Sequence, residues 1–576
     1  MKRFLLLASA TVLSLAVFGC TQPETRKEAA ETMKNTASDA QVQAKTFLDA
    51  YFVEYSKLEK AQTLGYWKAA NSGKKEDFEA FAAADLALKK LHSDAKRYAE
   101  IQAMLKNADQ LEPITRRSLE VAELAFKGNQ LPDELLEKMV KMSSDIELTF
   151  NTFRAELDGE KASNNQLLGK LAKAKDTAER KKIWTALKAV GAAVAPKLIA
   201  LAKVRNEAAK HLGYKDYWYM SVALQEHDAD KLLAIFAELK ALTKTPFMEM
   251  KAKLDAEVAE RLGVKVEKIM PWHYDNPFFQ EPPPSKALDL DTFFKDRKKE
   301  DIVEMARAFY TDIGLPADDL IAKSDFFERE GKDQHAFCIT IDRDADVRML
   351  LNIKPTSSWM ETMLHETGHG VYYKWIDRAL PFNLREAAHI FTTEAVAMLF
   401  GALGKNPQWL IDYAGVPADK VEPLTEAILN QRRREQLIFS RWTLVMLNFE
   451  KAMYANPDQD LNKLWWDMVE EYQMLKRPVD RNAPDWASKP HFTIAPVYYH
   501  NYQLGEVYAA QLRHALTKQA KHEGPAHKLS YKGRKDFGKF FIDKVFAPGT
   551  KTDWPTFVKN STGEDLTAKY FATELK

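Results

Sequence analysis

Apolar residues recur at intervals of three and four along most of this chain, the period of a helix that buries one face. Phe47, Tyr51, Tyr55 and Leu58 open the pattern, and Phe78, Phe81, Ala84 and Leu88 repeat it. It continues through 92–127, 132–156, 166–191 and 193–212, where Leu212-Gly213-Tyr214 supplies a glycine stop. Another amphipathic run covers 230–262, followed by a loop rich in proline and aromatic residues over 271–285. The helical period returns over 417–456, 460–475, 499–520 and 533–546. One region departs from it. Residues 336–341 and 347–353, separated by a polar turn at 342–346, read as two short strands. Such a hairpin is a small structural element or an edge that holds an extended peptide by backbone pairing, and the two do not exclude each other. No internal repeat is visible. The pattern predicts an all-α fold, one large helical unit over 43–576 with a short β-hairpin.

The first 42 residues lie outside this pattern. Lys2 and Arg3 precede an apolar run, 4–18, too short to favour a stable span. The run ends Val17-Phe18-Gly19-Cys20 and resembles a bacterial lipoprotein signal peptide covering 1–20, with Cys20 the lipidated first residue of the mature chain. A plain secretory signal peptide is the alternative. Residues 21–42 are polar and poor in large apolar groups, as suits a flexible tether. The expected location is the cell envelope, facing the periplasm, with the N-terminal lipid as the only membrane attachment and no later stretch apolar enough to cross a bilayer. With Cys20 lipidated, Cys338 is the one cysteine left, so no intrachain disulfide can form. A net charge of +1, from 83 basic and 82 acidic residues, gives no support for a nucleic-acid partner.

The chemistry concentrates in 358–394. His365-Glu366-Thr367-Gly368-His369 is H-E-x-x-H, the zinc-peptidase signature. Two histidines four apart share a helical face, so both rings can reach one zinc ion. Glu366 follows the first ligand and can take a proton from metal-bound water. Ser358 and Glu361 have the S-x-x-E spacing of a capping box at the start of that helix. Glu394 supplies a third ligand from the next apolar segment, on a face shared with Ile390, Phe391, Ala397 and Met398. A carboxylate there is costly unless paired or bound to metal. Two core histidines, with Glu394 paired to an arginine, are the alternative. One zinc ion on His365, His369 and Glu394 is the better reading.

Wider segments carry a family resemblance. They are Leu380-Pro-Phe-Asn-Leu-Arg-Glu386, Leu464-Trp465-Trp466 running on to Tyr472-Gln473, and Lys489-Pro490-His491 followed by Pro496-Val-Tyr-Tyr499-His-Asn-Tyr502. Together they make the chain, over most of 45–520, similar to the angiotensin-converting-enzyme (peptidyl-dipeptidase A) family of zinc peptidases. The resemblance implies two helical lobes around a deep cleft and release of dipeptides from the C-termini of short peptides. It assigns the general base to Glu366, the oxyanion hydrogen bonds to His491 and Tyr502, and the substrate's terminal carboxylate to Lys489 and Tyr499. Contacts with the substrate backbone fall to His335 and Ala336. No role is given to His273, His389 or His500 beyond packing, nor to Tyr274, which falls near the family's carboxylate-binding glutamine.

The sequence also departs from the family pattern. Glu394 follows His369 by 25 residues, one more than the family spacing, and the His491–Tyr502 interval is stretched by one as well. Met398 stands where the family usually has an Asp supporting the zinc site, a kind of partner whose loss commonly changes metal affinity 10–100-fold. Asn501 replaces an Arg that often helps bind activating chloride, which puts chloride activation in doubt. Two other readings stay open. One is an oligopeptidase of the related thimet oligopeptidase and oligoendopeptidase family, whose flavour Ala336-Phe337-Cys338 shares. The other is a peptide-binding lipoprotein without catalysis.

Overall fold

The structure is a computed structural model that describes residues 23–283, 288–333 and 335–575, so the expected signal segment and Cys20 lie outside the described residues. Helix dominates throughout, as the periodicity predicts. At the N-terminal end are α1 (Pro23–Ser72), α2 (Lys75–His92) and α3 (Pro113–Lys127). α1 begins well ahead of the apolar pattern, so the polar stretch expected as a tether is helical from Pro23 on. Its packing begins near Ala40 and Gln41, and the Gln41 amide donates to Thr115 at 2.8 Å. These helices share a core of their own built on Leu48, Tyr51, Leu119 and Phe126. Ring and ion-pair contacts fasten it to the main body. Tyr55 meets Phe382 edge-on at 5.3 Å, and Arg343 pairs with Glu59 at 2.6 Å.

The main core draws residues from Ile146 to Leu575, which makes the rest of the chain one body. An unforeseen hairpin interrupts the helices early, with β1 (Ala155–Leu157) paired to β2 (Glu160–Ala162). Its turn is Asp158-Gly159, both with positive φ (57° and 84°), the tight hairpin turn that an Asp-Gly pair favours. That dipeptide was the missed sequence signal. α4 (Thr177–Lys188) and α5 (Val190–His211) then form one nearly continuous apolar run. Against expectation, this run is long and apolar enough for a membrane span, with a mean hydropathy of 1.5 over 18 residues, half of them buried. Val194, Leu198, Leu201 and Ala202 lie in the core, and a helix enclosed by neighbours needs apolar residues around most of its circumference. The foreseen hairpin is present and shorter than expected: β3 (Phe337–Thr340) runs antiparallel to β4 (Val347–Leu350), with Phe337 opposite Leu350.

Four helices position the site: α6 (Ser357–Lys374), α7 (Ile390–Leu403), α8 (Thr425–Ala455) and α9 (Tyr499–Gln519). α6 carries the H-E-x-x-H motif, but its cap is not the expected Ser358–Glu361 box. Thr356 is the N-cap and accepts the Trp359 N–H, while Glu361 pairs with Lys405 at 2.7 Å. The helix therefore starts two residues earlier and frees Glu361 for a tertiary contact. α7 buries Phe391, Ala395, Val396, Leu399 and Phe400 around its circumference and is capped by His389, whose ring accepts the Phe391 N–H. α6 and α7 meet at glycines. A Cβ on Gly368 would lie 3.0 Å from the Ala397 Cα, and one on Gly401 would lie 3.2 Å from the His365 Cβ. Only bare backbone allows that approach.

Substituting Gly368→Val is expected to destabilise the protein by about 1–3 kcal/mol, the usual cost of overpacking. It should also weaken zinc binding, because it separates the helix bearing His365 and His369 from the one bearing Glu394. Thermal denaturation and zinc titration on the same preparation check both effects. Unchanged zinc affinity would mean that the close helix contact does not set the ligand geometry.

Candidate active site

The His365 and His369 Nε2 atoms lie 3.2 Å apart, and they are 3.8 and 3.9 Å from the Glu394 Oε2. Donors about 2.0–2.2 Å from a tetrahedral zinc ion lie roughly 3.3–3.6 Å apart, so this set fits zinc after a closure of a few tenths of an ångström. Among the described residues it is the one group of His, Cys, Asp and Glu side chains close enough to share an ion. Thr393, just before the third ligand, completes the support. Its hydroxyl meets the His369 Nδ1 at 2.7 Å, which turns the Nε2 lone pair toward the cluster when Nδ1 carries the proton. Thr393 thus takes up the orienting task that Met398 cannot perform. The sequence reading missed it because Thr393 precedes the ligand instead of following it by one turn.

Burial dominates the electrostatics. It pulls His365 down to about 4 and His369 well below its ordinary value, with the His365 charge adding to the second shift. Both rings are neutral at pH 7, the form that binds a metal. The carboxyls move the other way. Burial raises Glu394 to about 7, helped by the Glu506 charge, and raises Glu366 to about 8, helped by Glu394. Glu366 is 6% exposed, and no side chain among the described residues hydrogen-bonds it. A carboxyl set near neutrality and left free suits a group that first takes and then gives a proton.

A second cluster gathers around Lys489. The side chain is buried, donates to the Gln280 Oε1 at 2.8 Å, and lies 5.3–5.5 Å from the ring centroids of Phe278, Trp442 and Tyr499. Burial lowers it to about 8. Rings connect this ammonium toward the metal cluster: Tyr499 packs on His491 at 4.9 Å and on Tyr502 at 5.5 Å. Tyr502 in turn feels the Glu394 charge, which adds to burial in raising its hydroxyl. Tyr498 responds to Glu394 as well and meets Tyr502 edge-on at 5.1 Å. His491 is held neutral, at about 4, by burial and by Lys489, and its buried Nδ1 has no partner.

The sequence-derived residues thus fall into two connected groups, His365, Glu366, His369, Glu394 and Tyr502 in one and Lys489, His491 and Tyr499 in the other. His335 is not drawn in. Its side chain is 93% exposed and turns to Asp333 at 3.3 Å, whereas Ala336 is half-buried just ahead of β3. Tyr274 is also remote from this chemistry, buried against Lys251 and Asp255. The amide that meets Lys489 belongs to Gln280, six residues on. The Phe278-Phe279-Gln280 stretch was legible as apolar loop, but no spacing rule singled out the glutamine. His273, His389 and His500 are buried packing residues, as expected.

Zinc uptake by the metal-free protein should release protons near pH 6.5. Glu394 titrates at about 7 there and must lose its proton to bind, so affinity falls as pH drops through 7, by up to about tenfold per unit for each proton displaced. Calorimetry in buffers of different ionisation enthalpy measures the release. Thr393→Val should weaken zinc binding by about 10–100-fold while leaving the fold intact, the usual effect of removing a ligand's orienting partner.

With this geometry established, likeness to known proteins bears on the chain. The family model for peptidase M2, "Angiotensin-converting enzyme", matches residues 38–572. The angiotensin-converting enzyme of Mesocricetus auratus is 24% identical over 273 residues, 46% of this chain and 20% of the relative. That of Bos taurus is 23% identical over 411 residues, 65% of this chain and 30% of the relative. An "Inactive angiotensin-converting enzyme-related protein" of Caenorhabditis elegans is 24% identical over 132 residues, 22% of this chain and 15% of the relative. The chain therefore spans less than a third of the length of each of these relatives. Together with the His365–His369–Glu394 cluster, the match across nearly the whole chain shows that the protein belongs to the angiotensin-converting-enzyme family, a family of zinc metallopeptidases.

Proposed function

We propose that this protein is a zinc peptidyl-dipeptidase that releases dipeptides from the free C-termini of short peptides. The observation that carries the reading is the buried ammonium of Lys489, held by Gln280 and linked through Tyr499 and Tyr502 to a cluster that fits zinc. A buried cation is costly without a close counter-charge; the Glu281 charge acts on Lys489 without a direct ion pair, and a substrate carboxylate supplies a contacting partner. A fixed carboxylate site at a set distance from the reacting centre measures off two residues. The N-terminal signal reading adds a location, a lipid anchor at Cys20 facing the periplasm.

His365, His369 and Glu394 would hold the ion, which supplies a Lewis acid that acidifies water and polarises the scissile carbonyl. The protein's own groups do the rest. Glu366 removes a proton from the attacking water as its oxygen bonds to the carbonyl carbon. The carbonyl π electrons move to oxygen, and Tyr502 donates a hydrogen bond to the resulting oxyanion. His491, neutral at pH 7, donates a second when the proton sits on the facing nitrogen. Donors placed where charge develops are worth about 2.7–4 kcal/mol each in related hydrolases. Glu366, now protonated, passes its proton to the departing nitrogen as the C–N bond breaks. Its upward-shifted carboxyl makes both transfers close to balanced.

The test uses the full-length zinc-loaded protein and one N-blocked peptide supplied as free acid and as C-terminal amide. Stepwise loss of dipeptides from the acid is expected, with the amide resistant and Glu366→Gln inert while still binding zinc. Lys489→Ala should raise KM for the acid by about 10–100-fold, on a charged hydrogen bond worth 1.5–3 kcal/mol. Mass spectrometry of the products decides among the readings. Internal cuts in both peptides would overturn the dipeptidase in favour of an oligopeptidase, and no cleavage by the metal-loaded protein would leave a peptide binder.

A further inference from the structure

Two of the groups around the Lys489 ammonium, the Phe278 ring and the Gln280 oxygen, come from one short loop, 276–280. No residue of that loop belongs to a helix or strand, so its shape rests on individual hydrogen bonds. Asn276 ties it from within. Its Oδ1 accepts the Phe278 N–H at 2.9 Å and the Gln280 N–H at 3.3 Å, and its carbonyl accepts the Phe279 N–H at 3.1 Å. From outside, the Trp184 indole donates to the Pro277 carbonyl at 3.2 Å. The next two carbonyls, of Phe278 and Phe279, both accept from a single group, the side-chain amide of Gln473, at 3.0 and 2.8 Å.

A peptide unit is planar, so only the φ and ψ of Phe279 separate those two carbonyls. One NH2 group that binds both fixes the two angles together. The conformation it holds is unusual: Phe279 has a φ of 49°, in the left-handed region that a bulky residue rarely adopts. Its ring is buried against Tyr274 at 4.3 Å, and Gln280 follows directly. Strain of this kind persists only where the surroundings over-determine the backbone, and it gathers at sites that bind or react.

Gln473 is itself placed by an irregular backbone. The helix Leu461–Met468 passes into a π-helical turn, Val469–Gln473, and Met474 after it has a φ of 54°. A π turn inserts one residue into the helix and rotates the side chains beyond it by about 100° from their α-helical direction, and such turns recur at functional sites. The Gln473 side chain is buried, and its Oε1 has no partner among the described residues. A buried acceptor left unsatisfied is destabilising. The strain at Phe279, the irregular turn and the orphaned oxygen thus converge on one contact, the Gln473 NH2 group on the two carbonyls.

We propose that Gln473 is a positioning residue for the substrate's terminal carboxylate: by clamping the peptide planes on either side of Phe279 it directs Gln280 onto Lys489, and so fixes where the ammonium meets the substrate. Without the clamp Phe279 is free to return to a negative φ, which swings Gln280 away and leaves the ammonium without its hydrogen-bonded partner. None of the Gln473 contacts reaches His365, Glu366, His369 or Glu394, so the metal cluster keeps its geometry. This deepens the peptidyl-dipeptidase reading and rests on it, and the experiment separates the failures of the two.

Full-length zinc-loaded protein is given one N-blocked peptide as free acid and as C-terminal amide, and kcat and KM are measured separately. Gln473→Met keeps the length of the side chain and removes both N–H donors. It is expected to raise KM for the acid by about tenfold, with kcat and zinc affinity nearly unchanged. Gln473→Glu, of the same shape and with one donor at most, should raise that KM as well. It tests the clamp should the methionine variant fail to fold. Adding Gln473→Met to Gln280→Ala should leave KM where Gln280→Ala alone puts it, because the clamp acts through Gln280, whereas a merely structural loss would add to it. An unchanged KM in both Gln473 variants, or a penalty that adds in full to that of Gln280→Ala, overturns the positioning role, while dipeptide release from the acid alone by the wild-type protein keeps the enzyme reading intact. Wild-type protein that cleaves acid and amide alike, or neither, overturns the carboxylate site and the positioning role with it.

Discussion

The contact between α6 and α7 is the constraint on which the site depends. Neither helix can carry three metal ligands alone, because a helical face offers two side chains one turn apart and a third would fall too far along the axis. Gly368 and Gly401 let the two backbones approach until Glu394 faces His365 and His369. The apolar circumference of α7 holds that approach, with Phe391, Leu399 and Phe400 in the core. The same packing creates the electrostatic problem. Two imidazoles and two carboxyls share a space from which water is largely excluded, and every one of their proton affinities shifts toward the uncharged form. A divalent cation reverses the shift for the carboxylates and gives both imidazole lone pairs a partner. Protein burial and metal binding are thus two sides of one arrangement.

The second buried charge, Lys489, obeys the same rule at the other end of the site. Aromatic faces of Phe278, Trp442 and Tyr499 and the Gln280 oxygen receive it without neutralising it. Between these two centres run Tyr499, Tyr502 and His491, whose rings pack on one another and so transmit position from one centre to the other. Distances in such a site are set by ring packing, which tolerates little slack. Chain length between the motif segments matters much less. The His369–Glu394 and His491–Tyr502 intervals each cross a connecting segment between helices, 375–389 and 495–498, where chain length is less constrained than in the packed helices.

How much was legible depends on the range of the interaction. The helical period, the β3–β4 hairpin and the H-E-x-x-H helix follow from residues within a few positions of one another, and all are present. Local rules also misled where a tertiary contact competed. Ser358 and Glu361 have capping-box spacing, yet Thr356 caps the helix and Glu361 turns to Lys405, a partner from beyond α7 that no local spacing rule includes. α4 and α5 read as ordinary amphipathic helix, but their enclosure by other helices allows a run apolar enough for a membrane. Tyr274 was the aromatic nearest the expected glutamine in sequence, and burial against Asp255 and Lys251 removes it from the site.

The sequence by itself determined the identity of the chemistry. Two histidines at i and i+4 with a glutamate between them can share an ion on any helix, since the geometry is that of the helix itself. Glu394 was also marked from sequence, as a carboxylate placed where only a partner could justify it. Tertiary structure decided what surrounds that chemistry. It chose Thr393 to orient His369, Gln280 to meet Lys489, and exposure in place of contact for His335. The physical reason is common to all three. Each depends on which donors and acceptors of distant segments are already satisfied, and that accounting closes only when the whole chain is packed.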